Sequence, residues 1–217
     1  MLRTLHYITI TTFLSAVMAS GANAGSPAKT PMQLPNFNDG DVFIQVNKIK
    51  DASGKSAQIS SAILIKATPE AIWAVITDCA RAPTYVPGLK KCEILKKSPE
   101  NSPDGSWDFR RHTNKVSPFL PTIKSEFKSA YNFPTSIRFQ TAGGDMDTNS
   151  GAWEFTFIKT SGKTLVSYNA RVASKTIIPD KTIRKALRKN IPKVMRALRE
   201  EVLADQAKIA GEAKPKK

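Results

Sequence analysis

From Asp41 onward, hydrophobic and polar positions follow one of two periods, and the change between them marks out the elements. Val42 to Ile49 alternates as a strand does, Asp51-Ala52-Ser53-Gly54-Lys55 is a turn, and Gln58 to Ala67 is a second strand. A helix follows. Thr68 suits its N-cap, Pro69 the first helical position and Glu70 with Ala71 the first turn, while Ile72, Trp73, Val75 and Ile76 form an apolar stripe. The run Asp78-Cys79-Ala80-Arg81-Ala82-Pro83 breaks it, and a short second helix ends at Val86-Pro87-Gly88. Six strand-like segments come next: Lys91 to Lys97, Trp107 to Val116, Ile123 to Phe133, Ser136 to Thr141, Ala152 to Ile158 and Thr164 to Ala173. Turn chemistry rich in Pro, Gly and Asp separates them. Ile123 to Tyr131 alternates most cleanly, with Lys124, Glu126 and Lys128 on one side and Phe127 and Tyr131 on the other, the mark of a half-buried antiparallel strand.

Near the C-terminus the period lengthens to three or four. After Pro179, Asp180 suits an N-cap, and Ile183, Leu187, Ile191, Val194, Leu198 and Val202 recur on one face of a long helix. Pro192 inside this pattern predicts a kink, or a restart with Asn190 as a new cap. A meander of strands cannot bury its concave face alone, and one long amphipathic helix can cover it. The expected class is therefore α+β: a curved antiparallel sheet of about seven strands wrapped around the C-terminal helix, with two short helices after the first core strand. This domain spans residues 41–205, behind a flexible linker over 25–40 and ahead of a disordered basic tail over 206–217. The space between sheet and helix is either filled core or a cavity.

Short motifs in this order resemble one family. Ile65-Lys66-Ala67-Thr68-Pro69-Glu70-Ala71-Ile72-Trp73, then Thr77-Asp78, then Tyr85-Val86-Pro87-Gly88, resembles the opening of the helix-grip, START-related lipid-binding superfamily, and within it the polyketide cyclase/dehydrase and lipid transport branch. Gly151-Ala152-Trp153-Glu154-Phe155 and Gly162-Lys163-Thr164-Leu165-Val166-Ser167-Tyr168 resemble its last two strands. The resemblance covers residues 57–205 and implies a fold shared by carriers, cyclases and dehydratases, not one function. The added Val42–Ile49 strand, the N-terminal segment and the two cysteines depart from the plain domain.

The first residues change the setting. Arg3, the apolar run from Tyr7 to Met18 and the small-x-small site Ala22-Asn23-Ala24 read as a secretory signal over 1–24, placing the mature protein in the periplasm or outside the cell. The alternative is an uncleaved membrane anchor, against which stand the interrupting threonines and Ser20-Gly21. Cleavage would leave 32 basic against 18 acidic residues, a balance that attracts polyanions. Outside the cytoplasm an anionic membrane surface is the expected polyanion, and nucleic acid is not. In an oxidising compartment Cys79 and Cys92 are expected to pair, worth roughly 3 kcal/mol by the chain-entropy argument. Two buried free thiols are the alternative.

Candidate catalytic chemistry is sparse. His112, the only histidine beyond the signal, falls on the outer face if Trp107 and Phe109 point inward. Asp145 and Asp147 read as a polar hairpin tip rather than a carboxylate pair. No nucleophile motif, zinc spacing or phosphate-binding glycine loop is present, and neither a metal nor a cofactor is implied. Binding has more material. With Trp107 and Phe109 in the groove, Arg111 shares their side and either receives a carboxylate or phosphate head group or reaches solvent and a structural carboxylate. Tyr85, Phe127, Tyr131, Phe139, Trp153, Phe155 and Tyr168 line or fill the groove. Between Lys175 and Arg199 there are nine basic residues and one acid. Arg184, Lys185, Arg188, Lys189, Lys193 and Arg196, with Arg199, lie off the apolar stripe. They form either a membrane-docking face or a solvated one.

The leading expectation is a monomeric periplasmic protein that carries or senses a hydrophobic ligand, a lipid above all, in a cavity between sheet and helix. The alternatives are a polyketide cyclase/dehydratase-like enzyme and a cavity-free protein-binding module. A drug-sized site of some 300 Å³ or more would separate the first from the last.

Overall fold

Two strands, β1 (Val42–Ile49) and β2 (Ser56–Ile65), precede the helices α1 (Pro69–Thr77) and α2 (Ala82–Tyr85). Six strands follow: β3 (Leu89–Lys97), β4 (Ser106–Asn114), β5 (Ile123–Asn132), β6 (Ser136–Gly144), β7 (Met146–Ile158) and β8 (Lys163–Ser174), and then α3 (Asp180–Glu212). This computed structural model describes residues 38, 40–49, 56–100, 102, 105–115, 122–174 and 180–212. The expected secretory signal over 1–24, nearly all of the linker and the last residues of the tail lie outside the described residues.

All neighbouring strands pair antiparallel in the order β1-β2-β8-β7-β6-β5-β4-β3. The sheet thus has eight strands where about seven are expected. β7 starts at Met146, six residues before the expected Ala152. The reason is local: Gly144 takes a positive φ of 81° in the β6–β7 turn, so both strands of the hairpin run up to it.

α1 begins as its residues dictate, with Pro69 at the start and the Thr68 hydroxyl accepting from the Ala71 amide at 3.4 Å. α3 runs through Pro192 as one helix, so no restart occurs at Asn190. An internal proline costs about 3 kcal/mol. Burying a Leu, Val or Met side chain gains about 1.5–3 kcal/mol each, and Val194, Met195, Leu198 and Val202 are all buried just beyond it. The helix also continues to Glu212, so residues 206–212 are helical where a disordered tail is expected.

The core sits under α3 in two clusters. Ile63, Ile65, Ile72, Val75 and Val166 meet Met195, Leu198 and Val202 in the larger one. Val46, Ile59, Phe127, Phe139 and Val172 meet Leu187 and Ile191 in the other. The segment joining α1 and α2 is tied on two sides. Cys79 and Cys92 of β3 form the expected disulfide, with Cα atoms 5.4 Å apart. Arg81 bonds Asp205 at 2.5 Å and Glu201 at 2.8 Å on α3, and these bonds hold its guanidinium charge above the ordinary arginine range.

Candidate functional site beneath the C-terminal helix

Side chains alternate along a strand, so the face that β4 presents to α3 is a single choice for the whole strand. The register with β5 makes it. Phe127 points into the core, and its direct partner on β4 is Arg110, while Ser125 faces His112 and Ser129 faces Asp108. Asp108 and Arg110 are therefore buried, at 4% and 6% exposure. Trp107, Phe109 and Arg111 point the other way, which reverses the expected facing of this strand.

Trp107 and Arg111 find partners on that face. The ammonium groups of Lys128 and Lys96 lie 4.6 and 6.0 Å from the Trp107 ring centroid. Arg111 donates from Nε to Glu126 at 2.7 Å, the structural-carboxylate outcome rather than the head-group one. Trp107, Phe109 and Arg111 are thus removed from the groove, and His112 is moved into it.

Inside, three side chains close a polar cluster. Arg110 donates from Nε to both Asp108 carboxylate oxygens at 3.0 and 3.1 Å, and its Nη2 bonds the same carboxylate. The Tyr131 hydroxyl accepts from that Nη2 at 2.5 Å and donates to Asp108 Oδ2 at 2.5 Å. Burial raises the Tyr131 pKa above the usual phenol range, and pushes Tyr85 up to about 12. Burial, and then the Arg110 charge, pull His112 down to about 4. Its ring packs edge-on against Phe127 at 4.8 Å, and its Nε2 is buried without a hydrogen-bond partner among the described residues.

Tyr85, Arg110, His112 and Tyr131 border a pocket of about 100 Å³. Ile76, Ala82 and Val86 form one apolar side, Phe127, Ile137, Phe139 and Trp153 the sheet side, and Val194 the roof from α3. Tyr85, Arg110, His112, Ser129 and Tyr131 supply its polar lining. The volume is below the roughly 300 Å³ of a drug-sized site, so the groove is nearly filled, which is the outcome expected of the cavity-free alternative rather than of a carrier. A wider hollow of about 530 Å³ at the β3–β4 hairpin is lined by Trp107 together with Asp108 and Tyr131.

Of the groove residues expected from sequence, Tyr85, Phe127, Tyr131, Phe139 and Trp153 border the pocket. Phe155 packs into the core against Trp73, ring centroids 6.0 Å apart. Tyr168 stands behind the wall, 6.0 Å from Phe139 and 4.4 Å from Trp153. Asp145 bonds the Lys124 amide at 2.8 Å in the hairpin tip, and Asp147 is exposed.

The basic residues of α3 divide. Lys185, Lys189, Lys193 and Arg196 are exposed along one stripe, and Arg188, also exposed, reaches back to the Val46 carbonyl at 2.8 Å. Arg184 is half-buried. Among the described residues no helix is long and apolar enough to cross a membrane.

The family described as polyketide cyclase/dehydrase and lipid transport matches residues 65–199, more than half of the chain. The chain belongs to this family. Its solved neighbours share the helix-grip fold at low identity. A STAR-related lipid transfer protein from Xanthomonas axonopodis is 13% identical, with 77% of this chain and 96% of that one covered at a TM-score of 0.63. A protein from Thermus thermophilus is 18% identical over 68% and 98%, TM-score 0.58. An aromatase/cyclase from a Streptomyces species is 14% identical over 69% and 93%, TM-score 0.53. Comparison with functionally curated proteins finds no match.

Two outcomes test this geometry. Asp108→Asn should cost about 3–5 kcal/mol in urea unfolding, because it strands the buried Arg110 charge, whereas Glu126→Gln on the outer face should cost less than about 1 kcal/mol. Equal losses would contradict the assigned faces. His112 accepts a proton near pH 6.5 when unfolded but only near 4 when folded. Its contribution is present above pH 6.5 and is lost as pH falls toward 4, by on the order of 3 kcal/mol. A His112→Gln variant should lack that part of the decline, and an identical pH profile would refute it.

Proposed function

We propose that this protein binds a hydrophobic ligand in the groove between sheet and α3 and carries it, as a periplasmic monomer, to or from a membrane surface. One observation supports this reading most. A groove kept only for packing gains nothing from a buried ion pair and an unpartnered imidazole, since buried polar groups without partners cost about 1–3 kcal/mol. The same lining is otherwise apolar, which is the composition of a ligand site. The family's span over lipid transport, and the lipid transfer protein among the solved neighbours, agree with a carrier.

A lipid-sized ligand needs more room than about 100 Å³. The wall best placed to supply it is α2, a four-residue helix that gives Ala82, Tyr85 and the adjoining Val86 to the pocket. Its two tethers, the Cys79–Cys92 bridge and the Arg81 bonds to α3, restrict how fast it swings. Transfer exposes each methylene to water at about 0.8 kcal/mol, so release belongs at a surface that takes the chain directly. Lys185, Lys189, Lys193 and Arg196 supply that contact, each contributing about 1 kcal/mol near an anionic bilayer.

A second reading, a cyclase or dehydratase acting on a polyketide-like substrate, draws on His112 and Tyr131 bordering the same pocket, within reach of general acid–base work. The carrier reading is tested with the fluorescent probe N-phenyl-1-naphthylamine and vesicles containing phosphatidylglycerol. Saturable binding is expected, with reduction of the disulfide changing the exchange rate more than the affinity. Glutamine at the four exposed basic positions should weaken vesicle binding roughly tenfold or more. Absence of saturable probe binding would sink the carrier reading, and unchanged vesicle binding would remove the docking face.

A further inference from the structure

We propose that the ligand ends in an uncharged hydroxyl, and that this hydroxyl hydrogen-bonds Nε2 of His112. The inference rests on the carrier reading and names its ligand class as a neutral hydrophobic alcohol, not a fatty acid or a phosphate ester.

The charges that face the pocket are already balanced. Among the described residues Arg110 is the one cation lining it at neutral pH, and Asp108 engages that guanidinium through both carboxylate oxygens. Tyr131 bonds both partners of the pair. Arg81, on the α2 side, is matched by Glu201 and Asp205. Asp78 and Glu201 add negative potential near Tyr85. An incoming carboxylate or phosphate would meet no uncompensated positive charge, and leaving a charge buried and unpaired is strongly unfavourable. The site therefore selects against charge.

The group left without a partner is neutral. His112 sits beside Phe127 on the lining, and its Nε2, closed off from solvent, has no hydrogen-bond partner among the described residues. Its ordinary pKa of about 6.5 already leaves imidazole mostly neutral above pH 7, and burial moves it further that way. Neutral imidazole presents either N–H or a lone pair at Nε2, depending on tautomer. A hydroxyl both donates and accepts, so it satisfies either form, where a carbonyl satisfies only one. The apolar lining, Phe139, Ile137 and Trp153 above all, then receives the hydrocarbon.

Calorimetric titration of the oxidised full chain at pH 7.5 with 1-dodecanol and with dodecanoate tests this. Dodecanol should bind at least about tenfold more tightly than dodecanoate. His112→Phe should weaken dodecanol roughly fivefold, the worth of one neutral hydrogen bond, without weakening dodecanoate. His112→Gln, which keeps a hydrogen-bonding group, should recover part of the loss. Should both variants fail to fold, the wild-type comparison of alcohol with carboxylate decides alone. Dodecanoate binding as tightly as dodecanol, or His112→Phe leaving dodecanol unchanged, would overturn the proposal while the carrier reading stands. If neither compound binds, both fall together.

Discussion

An antiparallel meander with one apolar face is unstable in water until something covers that face, and here α3 is the cover. Met195, Leu198 and Val202 lie fully buried against Ile63, Ile65 and Val166 of the central strands, so sheet curvature and helix position are fixed by the same contacts. Everything of functional interest follows from how well that cover fits. Toward β2 and β8 the facing side chains Ile63, Ile65 and Val166 are fully buried. Toward β4 and β5 the facing residues are Arg110, His112, Ser129 and Tyr131, and a small pocket remains. The site is where apolar packing gives way to polar side chains that still have to be satisfied.

The satisfaction is uneven, and the unevenness is what points to a ligand. Asp108, Arg110 and Tyr131 bond one another, and Arg110 also donates to the Thr77 carbonyl at 3.5 Å, so the buried charges are balanced in place. A pair of this kind is weak evidence of stability, because desolvation offsets most of its attraction. It does set the electrostatics of the groove, leaving it neutral overall. His112 stands outside this set, with a buried nitrogen that has no hydrogen-bond partner among the described residues. α2, which the carrier reading makes the access wall, is short and held by a disulfide and an ion pair as well as by its own buried Ala82 and Tyr85. A narrow, neutral, tethered pocket suits a ligand that enters by displacing that wall.

Most of the fold was legible because its signals are local. Thr68 and Pro69 announce α1, the three- and four-residue steps from Ile183 to Val202 announce α3, and Lys124 to Tyr131 shows its two faces by alternation alone. The facing of β4 was not. Trp107 and Phe109 are the apolar residues of that strand, and their parity pointed them inward. In the structure the ammonium groups of Lys96 and Lys128 lie over Trp107 on the outside, a contact that a long aliphatic stem makes possible. The deciding fact is the pairing of Arg110 with Phe127, a register set across the β4–β5 connection that no local pattern reveals. One slip of parity exchanged Arg111 for Arg110 and hid His112, so the pocket-lining residues of β4 were missed, whereas Phe127, Tyr131, Phe139 and Trp153 of β5, β6 and β7 do border the pocket. Proline misled in a similar way. Its local cost at Pro192 is real, and the tertiary burial that follows it outweighs that cost.

Native mass spectrometry with lipid extraction, on the protein purified under non-denaturing conditions from its own host, asks whether this groove holds a hydrophobic ligand. A co-purifying neutral hydrophobic molecule, lost when the protein is denatured, is the predicted result. A bare polypeptide mass, under conditions in which a control lipid carrier keeps its cargo, would contradict it.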